Sequence, residues 1–124
     1  MEKPTIGTIG WIDLTVSNAD ELKDFYASVT GWKPEPVSMG DYNDYSMTSD
    51  GEGRAGICHK RGANANIPSQ WMIYINVADL DKSRTECEAR GGKLLTDIRS
   101  MGEIGRYCFI EDPAGAVCSL FEPQ

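Results

Sequence analysis

The chain has few side chains suited to proton transfer, and two of them stand on predicted strands. His59 is the single histidine of the sequence, and histidine is the side chain whose unperturbed pKa lies nearest neutrality. Asp13 stands among apolar neighbours on the first predicted strand, where a carboxylate is costly unless it is paired or hydrated. We take His59 and Asp13 as catalytic candidates. The alternative is a structural role for each: a partly exposed strand end for His59 and a hydrogen-bonded carboxylate for Asp13.

The elements that must position these residues repeat along the chain. Residues 11–32 and 72–92 each read as an apolar strand, a polar turn and a helix that ends at glycine. In the first helix, Asn18 and Glu21 have the spacing of a capping box, in which side chains satisfy the free backbone N–H groups. Four apolar residues recur on this helix with the helical period: Leu22, Phe25, Tyr26 and Val29.

Three strands are predicted after each helix. They fall at residues 32–37, 43–48 and 54–59 in the first half, and at residues 93–98, 105–111 and 116–122 in the second. The sequence therefore predicts one α+β domain over residues 1–124, made of two βαβββ modules. The modules cover residues 5–60 and 70–124, and the polar segment 60–69 connects them.

Composition and charge narrow the classes of function. The net charge of −7 and the pI near 4.6 disfavour nucleic acid, whose phosphates require a basic surface. No apolar run approaches the roughly 20 residues that span a bilayer, and no signal-peptide pattern opens the chain. We therefore expect a cytoplasmic protein with no membrane partner. Four cysteines without C-x-x-C spacing are expected to be buried free thiols: Cys58, Cys87, Cys108 and Cys118.

Two stretches of the sequence resemble a known family. They are IDLTVSNADELKDFYASVTGW (12–32) and FIEDPAGAVCSLFEP (109–123). Together, in this order, they resemble the vicinal oxygen chelate superfamily, also called glyoxalase/bleomycin-resistance/dioxygenase proteins. The resemblance implies that the two βαβββ modules form a cupped mixed sheet with the helices outside. It also implies a ligand cleft in which metal-dependent members place His, Glu or Gln ligands around a divalent metal.

The positions that the resemblance assigns to metal ligands hold unsuitable residues. They fall on Trp11, Ile57, Met72 (or Gln70, if the register slips by two) and Ser119. Indole, alkyl, thioether and neutral hydroxyl groups are poor ligands for hard or borderline divalent ions. We therefore predict no cofactor. The alternative is a divalent metal such as Zn, Ni, Fe or Mn, held by relocated ligands among Asp13, His59, Gln70 and Glu122.

Alternation along strands then predicts which residues share the interior face. It places Asp13 with Trp11, His59 with Ile57, Tyr74 with Met72 and Phe121 with Ser119. Arg106 is predicted either to pair with Asp13 or hold an anionic ligand, or to be a solvated residue at a strand edge. The ligand-binding candidates are Trp11, Ile57, Gln70, Met72, Tyr74, Arg106, Ser119 and Phe121.

An aromatic and apolar face of this kind suits a small organic molecule. We expect a metal-free small-molecule-binding protein that holds a planar or apolar ligand and forms a homodimer. The alternative is a glyoxalase-like lyase, isomerase or dioxygenase, either with a relocated metal site or with metal-free acid–base chemistry by His59 and Asp13. The segments 37–50 and 97–106 are interpreted as lips over the cleft, with exposed hairpins as the alternative.

Overall fold

The computed structural model describes residues 3–124 and confirms the α+β class. This part of the chain contains nine strands, two α-helices and one 3-10 helix. They are β1 (Ile9–Val16), α1 (Ala19–Thr30), β2 (Lys33–Ser38), β3 (Asn43–Ser49), β4 (Glu52–His59), the 3-10 helix (Gly62–Asn64), β5 (Trp71–Asn76), α2 (Leu80–Ala89), β6 (Lys93–Leu94), β7 (Arg99–Ser100), β8 (Gly105–Glu111) and β9 (Val117–Pro123). Neither α-helix is long and apolar enough to cross a membrane.

The chain forms two compact units, residues 12–71 (the first unit) and residues 3–11 with 72–124 (the second unit). In the first unit the strand order is β2-β3-β4-β1, with β1 parallel to β4 and the other pairs antiparallel. Helix α1 packs on one face of this sheet and contributes Ala19 to its core. The other fully or nearly buried members of that core are Leu14, Val16, Met47 and Ile57.

Helix α1 begins differently from what its sequence predicts, but it ends as predicted. Asn18 makes no side-chain cap, so the predicted capping box is wrong: its amide donates to the Glu21 carboxylate at 3.5 Å. The C-terminal end follows the prediction, because Gly31 adopts a left-handed φ of 82° and donates its N–H to Ala27. The predicted apolar stripe is only half buried, with Phe25 55% and Val29 65% exposed.

In the second unit the strand order is β5-β9-β8-β6, and β7 also pairs with β8. Helix α2 covers one face, where Leu80, Cys108 and Leu120 form the buried core. Asp79 caps α2 by accepting the Lys82 N–H at 3.1 Å. The N-terminal segment joins this unit through Asn76, whose backbone bonds Thr8 and Gly7.

Only Lys93–Leu94 (β6) of the strand predicted at residues 93–98 forms a strand, and after an interruption the two-residue strand β7 begins at Arg99. The interruption is centred on Thr96. Its hydroxyl, rather than a backbone carbonyl, accepts the Phe109 N–H at 3.0 Å, while its carbonyl accepts from the Arg84 guanidinium at 2.8 Å. A side chain that takes over a ladder hydrogen bond breaks the strand locally.

Candidate ligand-binding face

The sheet of the second unit has two chemically distinct faces. Register pairs Ser119 with Tyr74 on β5 and with Phe109 on β8, and it pairs Phe121 with Tyr107. Directly paired residues lie on the same face of a sheet, so these five side chains share the face opposite α2. We call the four rings among them the aromatic face: Tyr74, Tyr107, Phe109 and Phe121.

Three rings of the aromatic face contact one another. Tyr74, Tyr107 and Phe109 have ring centroids 5.8–6.1 Å apart in all three pairings, in tilted or T-shaped orientations. Phe109 is 3% exposed, whereas Tyr74, Tyr107 and Phe121 are half-buried. In a T-shaped pair the edge of one ring meets the face of the other, so these contacts hold the three rings in fixed orientations. Sequence reasoning identified Tyr74 and Phe121 but missed Tyr107 and Phe109, which alternation along β8 could have supplied.

Two of the predicted ligand contacts lie beneath this face instead. Ser119 is fully buried, and its hydroxyl donates to the Cys108 carbonyl at 3.0 Å. Met72, two residues before Tyr74 on the same strand, is also fully buried. A side chain with no exposed surface cannot contact a ligand unless its packing opens. Ser119 and Met72 therefore form the floor of the aromatic face, and their predicted contact with a ligand requires this packing to open.

Arg106 lies on the opposite face, so its place among the ligand contacts is corrected. It pairs in register with Glu122, and its guanidinium donates two hydrogen bonds to that carboxylate, each 3.1 Å long. A third bond, 2.9 Å long, reaches Asp81 on α2. These contacts rule out the predicted pairing with Asp13. Glu122, next to Phe121 on β9, also points to this opposite face, where it accepts the Leu80 N–H at 2.7 Å.

In the first unit, the side chains of β4 lie on the opposite faces from those predicted. Ile57 pairs with Leu14 and His59 pairs with Val16 in parallel register, and Leu14, Val16 and Ile57 belong to the core that α1 covers. Ile57 is fully buried there. His59 therefore shares the α1 side, while Asp13, one residue from Leu14, lies on the other side of the strand.

His59 belongs to a network that the sequence analysis did not foresee. Asp44 Oδ1 accepts the His59 backbone N–H at 2.9 Å and lies 3.3 Å from Nδ1, while Nε2 lies 3.7 Å from Asp20 Oδ2. The Tyr45 hydroxyl donates to Asp20, which lowers the pKa of that carboxyl and raises the pKa of Tyr45 to about 12. The Tyr42 and His59 rings form a T-shaped contact with their centroids 5.3 Å apart.

This network ties α1 to β3 and β4 and changes the interpretation of segment 37–50. Residues 43–49 form β3, which pairs with β2 on one side and with β4 on the other. A strand paired on both sides is no lip, so that interpretation is wrong for these residues. In segment 97–106, β7 and β8 are joined by a tight turn in which Met101 donates its N–H to Gly105 at 2.8 Å.

The remaining candidates are Asp13, Trp11 and Gln70, and all three are half-buried. Asp13 acts electrostatically on Cys58. Burial raises the pKa of the Cys58 thiol, and the negative charges of Asp13 and Asp44 raise it further. Such a thiol stays protonated at neutral pH, which gives it the chemistry of a small apolar side chain.

The residues of the site do not fit a divalent metal. Among residues 3–124, no three His, Cys, Asp or Glu side chains converge where they could hold an ion. The relocated ligand set fails as well, because His59 and Asp13 lie on opposite sides of their sheet and Glu122 is bound by Arg106 and Leu80. The donor chemistry of these residues is therefore a poor match for a divalent ion.

The hydrogen bonds that Glu122 accepts from Arg106 and Leu80 can be tested through the pH dependence of stability. Hydrogen bonds from Arg106, and then from the Leu80 N–H, hold the pKa of Glu122 below its usual value. A lowered folded-state pKa stabilises the protein above the unfolded pKa of about 4.3, and that stabilisation disappears as the pH falls through the folded value. We expect Glu122→Gln to lower the melting temperature at pH 7 and to lose this effect below about pH 4.

The measurement is thermal unfolding of both proteins between pH 7 and pH 2.5. The control is Glu52→Gln, since Glu52 lies in an exposed ion pair with Arg54 at 3.4 Å and such pairs contribute about 0–1 kcal/mol. If the melting-temperature difference for Glu122→Gln stays constant over this pH range, ionised Glu122 does not stabilise the fold through these hydrogen bonds.

The order of strands and helices, with each helix between a preceding strand and several following strands, defines an α+β fold. The chain belongs to the Glyoxalase/Bleomycin resistance protein/Dioxygenase superfamily, whose model matches residues 8–120. The family resemblance drawn from its sequence is thereby confirmed.

Curated relatives and solved structures agree with this membership. The protein named "Putative glyoxylase CFP32" of Mycobacterium tuberculosis is 34% identical over 121 residues, which is 94% of this chain and 46% of that protein. The chain thus spans about half the length of this relative. Methylmalonyl-CoA epimerase from Mycobacterium tuberculosis superposes with a TM-score of 0.60 at 18% identity, covering 100% of this chain and 93% of that chain. The Mn(II)-bound glyoxalase from Novosphingobium aromaticivorans superposes with a TM-score of 0.61 at 19% identity, covering 94% of this chain and 39% of that chain. At these identities both structures show a shared fold.

Proposed function

We propose that this chain is a metal-independent small-molecule-binding protein that holds a planar or apolar organic ligand on the aromatic face. The observation that carries the proposal is the arrangement of half-buried Tyr74, Tyr107 and Phe121 over a floor of fully buried Met72 and Ser119. Rings already fixed by packing lose little conformational entropy when a flat ligand stacks on them. The floor also satisfies its own polar group, because the Ser119 hydroxyl is hydrogen-bonded.

Direct binding experiments test this proposal. Planar compounds such as 2-naphthol and flavone are screened against the protein by thermal shift, and the best binder is titrated calorimetrically. Tyr107→Leu removes a half-buried ring but keeps an apolar side chain, so we expect the affinity to fall roughly tenfold, from a loss of about 1 kcal/mol of ring contact.

The matched control is Phe25→Leu, because Phe25 is 55% exposed on α1 in the first unit. This control is expected to leave the affinity within about twofold. Two results would refute the proposal: no planar compound raises the melting temperature, or Tyr107→Leu binds as tightly as the unaltered protein.

The alternative function is a metal-dependent glyoxalase-like lyase, isomerase or dioxygenase. It is favoured by the name of the 34% identical relative and by the fold shared with the Mn(II)-bound glyoxalase. This function requires an ion on donors such as Asp13, His59 and Gln70. Elemental analysis of protein purified without chelator or affinity tag decides between the two functions: stoichiometric Zn, Ni, Fe or Mn would favour the enzyme.

We also propose that the protein acts as a homodimer in the cytoplasm. Strand β2 is an edge strand in the first unit, and it exposes Val37 (46%) and Met39 just beyond its end (48%). Exposed apolar side chains along a strand edge favour association with another chain. Light scattering over a range of concentrations measures the mass directly, and a constant monomer mass would refute this part of the proposal.

A further inference from the structure

A groove separates helix α2 from the turn between β8 and β9, on the side of the sheet opposite the aromatic face. Its volume is about 420 Å³, within the range of roughly 300–1,000 Å³ that is typical of small-molecule sites. One wall is a single side of α2 and its C-terminal end, and the other is formed by Pro113 of the turn with Ile110 and Leu120 of the strands. All of these residues belong to the second unit.

The floor of the groove is apolar. Ile110 and Leu120 pack in the core beneath α2, and Cys87 adds a half-buried thiol. Burial raises the pKa of that thiol, so it stays protonated at neutral pH and behaves as apolar surface. Gly92 also lines the groove, and an added Cβ there would lie 2.5 Å from Cys87 Sγ. The chain can pass this close to the thiol because residue 92 has no side chain.

The groove runs along α2. Lys82 and Arg90 both line it, and their separation in sequence corresponds to about 12 Å along the axis of a helix. The turn lies at the Arg90 end, since Pro113 Cγ is 3.8 Å from the position of an added Cβ at Gly91. An elongated molecule in the groove would therefore have one end near Lys82 and the other near the turn.

The charges at these two ends differ. Near the turn, Arg90 pairs with Glu86 at 3.2 Å, and Asp112 adds a carboxylate that accepts two backbone N–H groups of its own turn. At the other end, the exposed Lys82 takes part in none of the ion pairs formed within residues 3–124. The groove thus offers a cation at one end and a carboxylate at the other, with apolar surface between them.

We propose that this groove is a second binding site, and that its occupant is a carboxylate with an unbranched alkyl chain, such as a medium-chain fatty acid. The alkyl chain lies on Cys87, Ile110 and Leu120, where its burial provides most of the affinity. The carboxylate lies beside the Lys82 ammonium, which supplies charge-assisted hydrogen bonds. Repulsion by Asp112 disfavours the reverse orientation.

The composition of the walls favours an alkyl chain over a ring system. The residues of α2, the strands and the turn that line the groove include no aromatic side chain on which a flat molecule could stack. The site also lies on the other side of the sheet from the aromatic face, so this inference is independent of the proposed function.

Three probes that share one alkyl chain test the inference. Octanoate, octanamide and octylamine are titrated calorimetrically at about 0.05 M and about 0.3 M salt. We expect octanoate to bind roughly threefold to fivefold more tightly than octanamide, which is the gain expected of one exposed ion pair, and octylamine to bind most weakly. The preference for octanoate should shrink at the higher salt concentration.

The Cys87 thiol reports where the probe binds. Bound octanoate should slow the alkylation of Cys87 by N-ethylmaleimide at least about threefold, as measured by mass spectrometry of the alkylated peptides. Cys58 is the internal control, because it is also half-buried but lies in the first unit. Its rate of alkylation should not change.

Two variants separate the charge contact from the apolar floor. Lys82→Gln is expected to remove the preference for octanoate while keeping the affinity for octanamide within about twofold. Ser83→Leu places a larger side chain in the groove and should weaken octanoate binding at least about fivefold. The matched control is Lys33→Gln, because Lys33 is an exposed lysine on β2 in the first unit. It should change neither quantity.

Each contrary result has a distinct meaning. If octanamide or octylamine binds as tightly as octanoate, or if Lys82→Gln keeps the preference, the carboxylate is the wrong occupant. If octanoate binds without slowing the alkylation of Cys87, or binds Ser83→Leu unchanged, the groove is not its site. If none of the three probes binds, the inference is refuted, whereas binding of planar compounds to the aromatic face is unaffected.

Discussion

Replacing Gly105 by alanine is expected to destabilise the protein by more than about 3 kcal/mol, a loss of roughly 10 °C in melting temperature for a chain of this size. Gly105 has a φ of +150°, a conformation that residues with a Cβ rarely adopt. An added Cβ would lie 2.3 Å from the Glu122 carbonyl oxygen and 2.8 Å from Phe121 Cζ. The carbonyl belongs to the backbone of β9, so the contact can be relieved only by moving the strand.

Gly102→Ala is the matched control for this prediction. Gly102 also has a positive φ, +63°, but no atom lies within 4 Å of its added Cβ. We expect it to cost about 1 kcal/mol, the strain of the backbone conformation alone. Thermal and denaturant unfolding of both variants measure the difference. Equal stabilities would show that the close approach of Gly105 to Phe121 does not constrain the aromatic face.

The order of elements was predictable from the sequence because local signals determine it. Alternating apolar residues indicated the strands, Gly31 and Gly91 marked the ends of the helices, and the Asp112–Gly115 turn separated the last two strands. The turn forms as its residues indicate, since Asp112 Oδ1 accepts the N–H groups of Ala114 and Ala116. These interactions lie within a few residues, so no tertiary information is needed to predict them.

The face of the sheet on which each strand residue places its side chain was only partly predictable. Alternation from Ser119 correctly placed Phe121 on its face of β9 and Glu122 on the other. On β4 the same method failed, because a shift of one residue moves every side chain to the opposite face. The parallel pairing of Ile57 with Leu14, rather than with Asp13, sets the phase. Register between strands distant in sequence is a tertiary property that alternation alone does not determine.

The partners of charged residues were not predictable for the same reason. His59 contacts Asp20 from α1 and Asp44 from β3, and Arg106 contacts Asp81 from α2. Each pair is separated by at least 15 positions in the sequence, so only folding brings the partners together. The sequence did identify Asp13 as a residue in need of a partner, since a charge inside a fold is costly unless paired.

Ser119→Glu is expected to destabilise the protein by about 3 kcal/mol or more and to create no metal site. The substitution places a carboxylate where the resemblance to metal-dependent members would put a ligand. Ser119 is fully buried between Tyr74 and Phe109, so a larger side chain overpacks the floor and its charge is removed from water. Its neighbours there offer phenol, phenyl and thioether groups rather than imidazole or carboxylate, so we expect no bound equivalent of Zn, Ni, Fe or Mn.

Ser119→Ala separates the effect of the charge from that of the lost hydroxyl. It removes the hydrogen bond to the Cys108 carbonyl and little volume, so we expect a cost of about 1 kcal/mol. Denaturant unfolding compares the two variants, and elemental analysis after exposure to each metal measures occupancy. If Ser119→Glu is as stable as Ser119→Ala, or if it binds one equivalent of metal, the floor is not the closed apolar layer described above. The aromatic face would then stand over a dormant metal centre, and the metal-dependent function would become the better supported one.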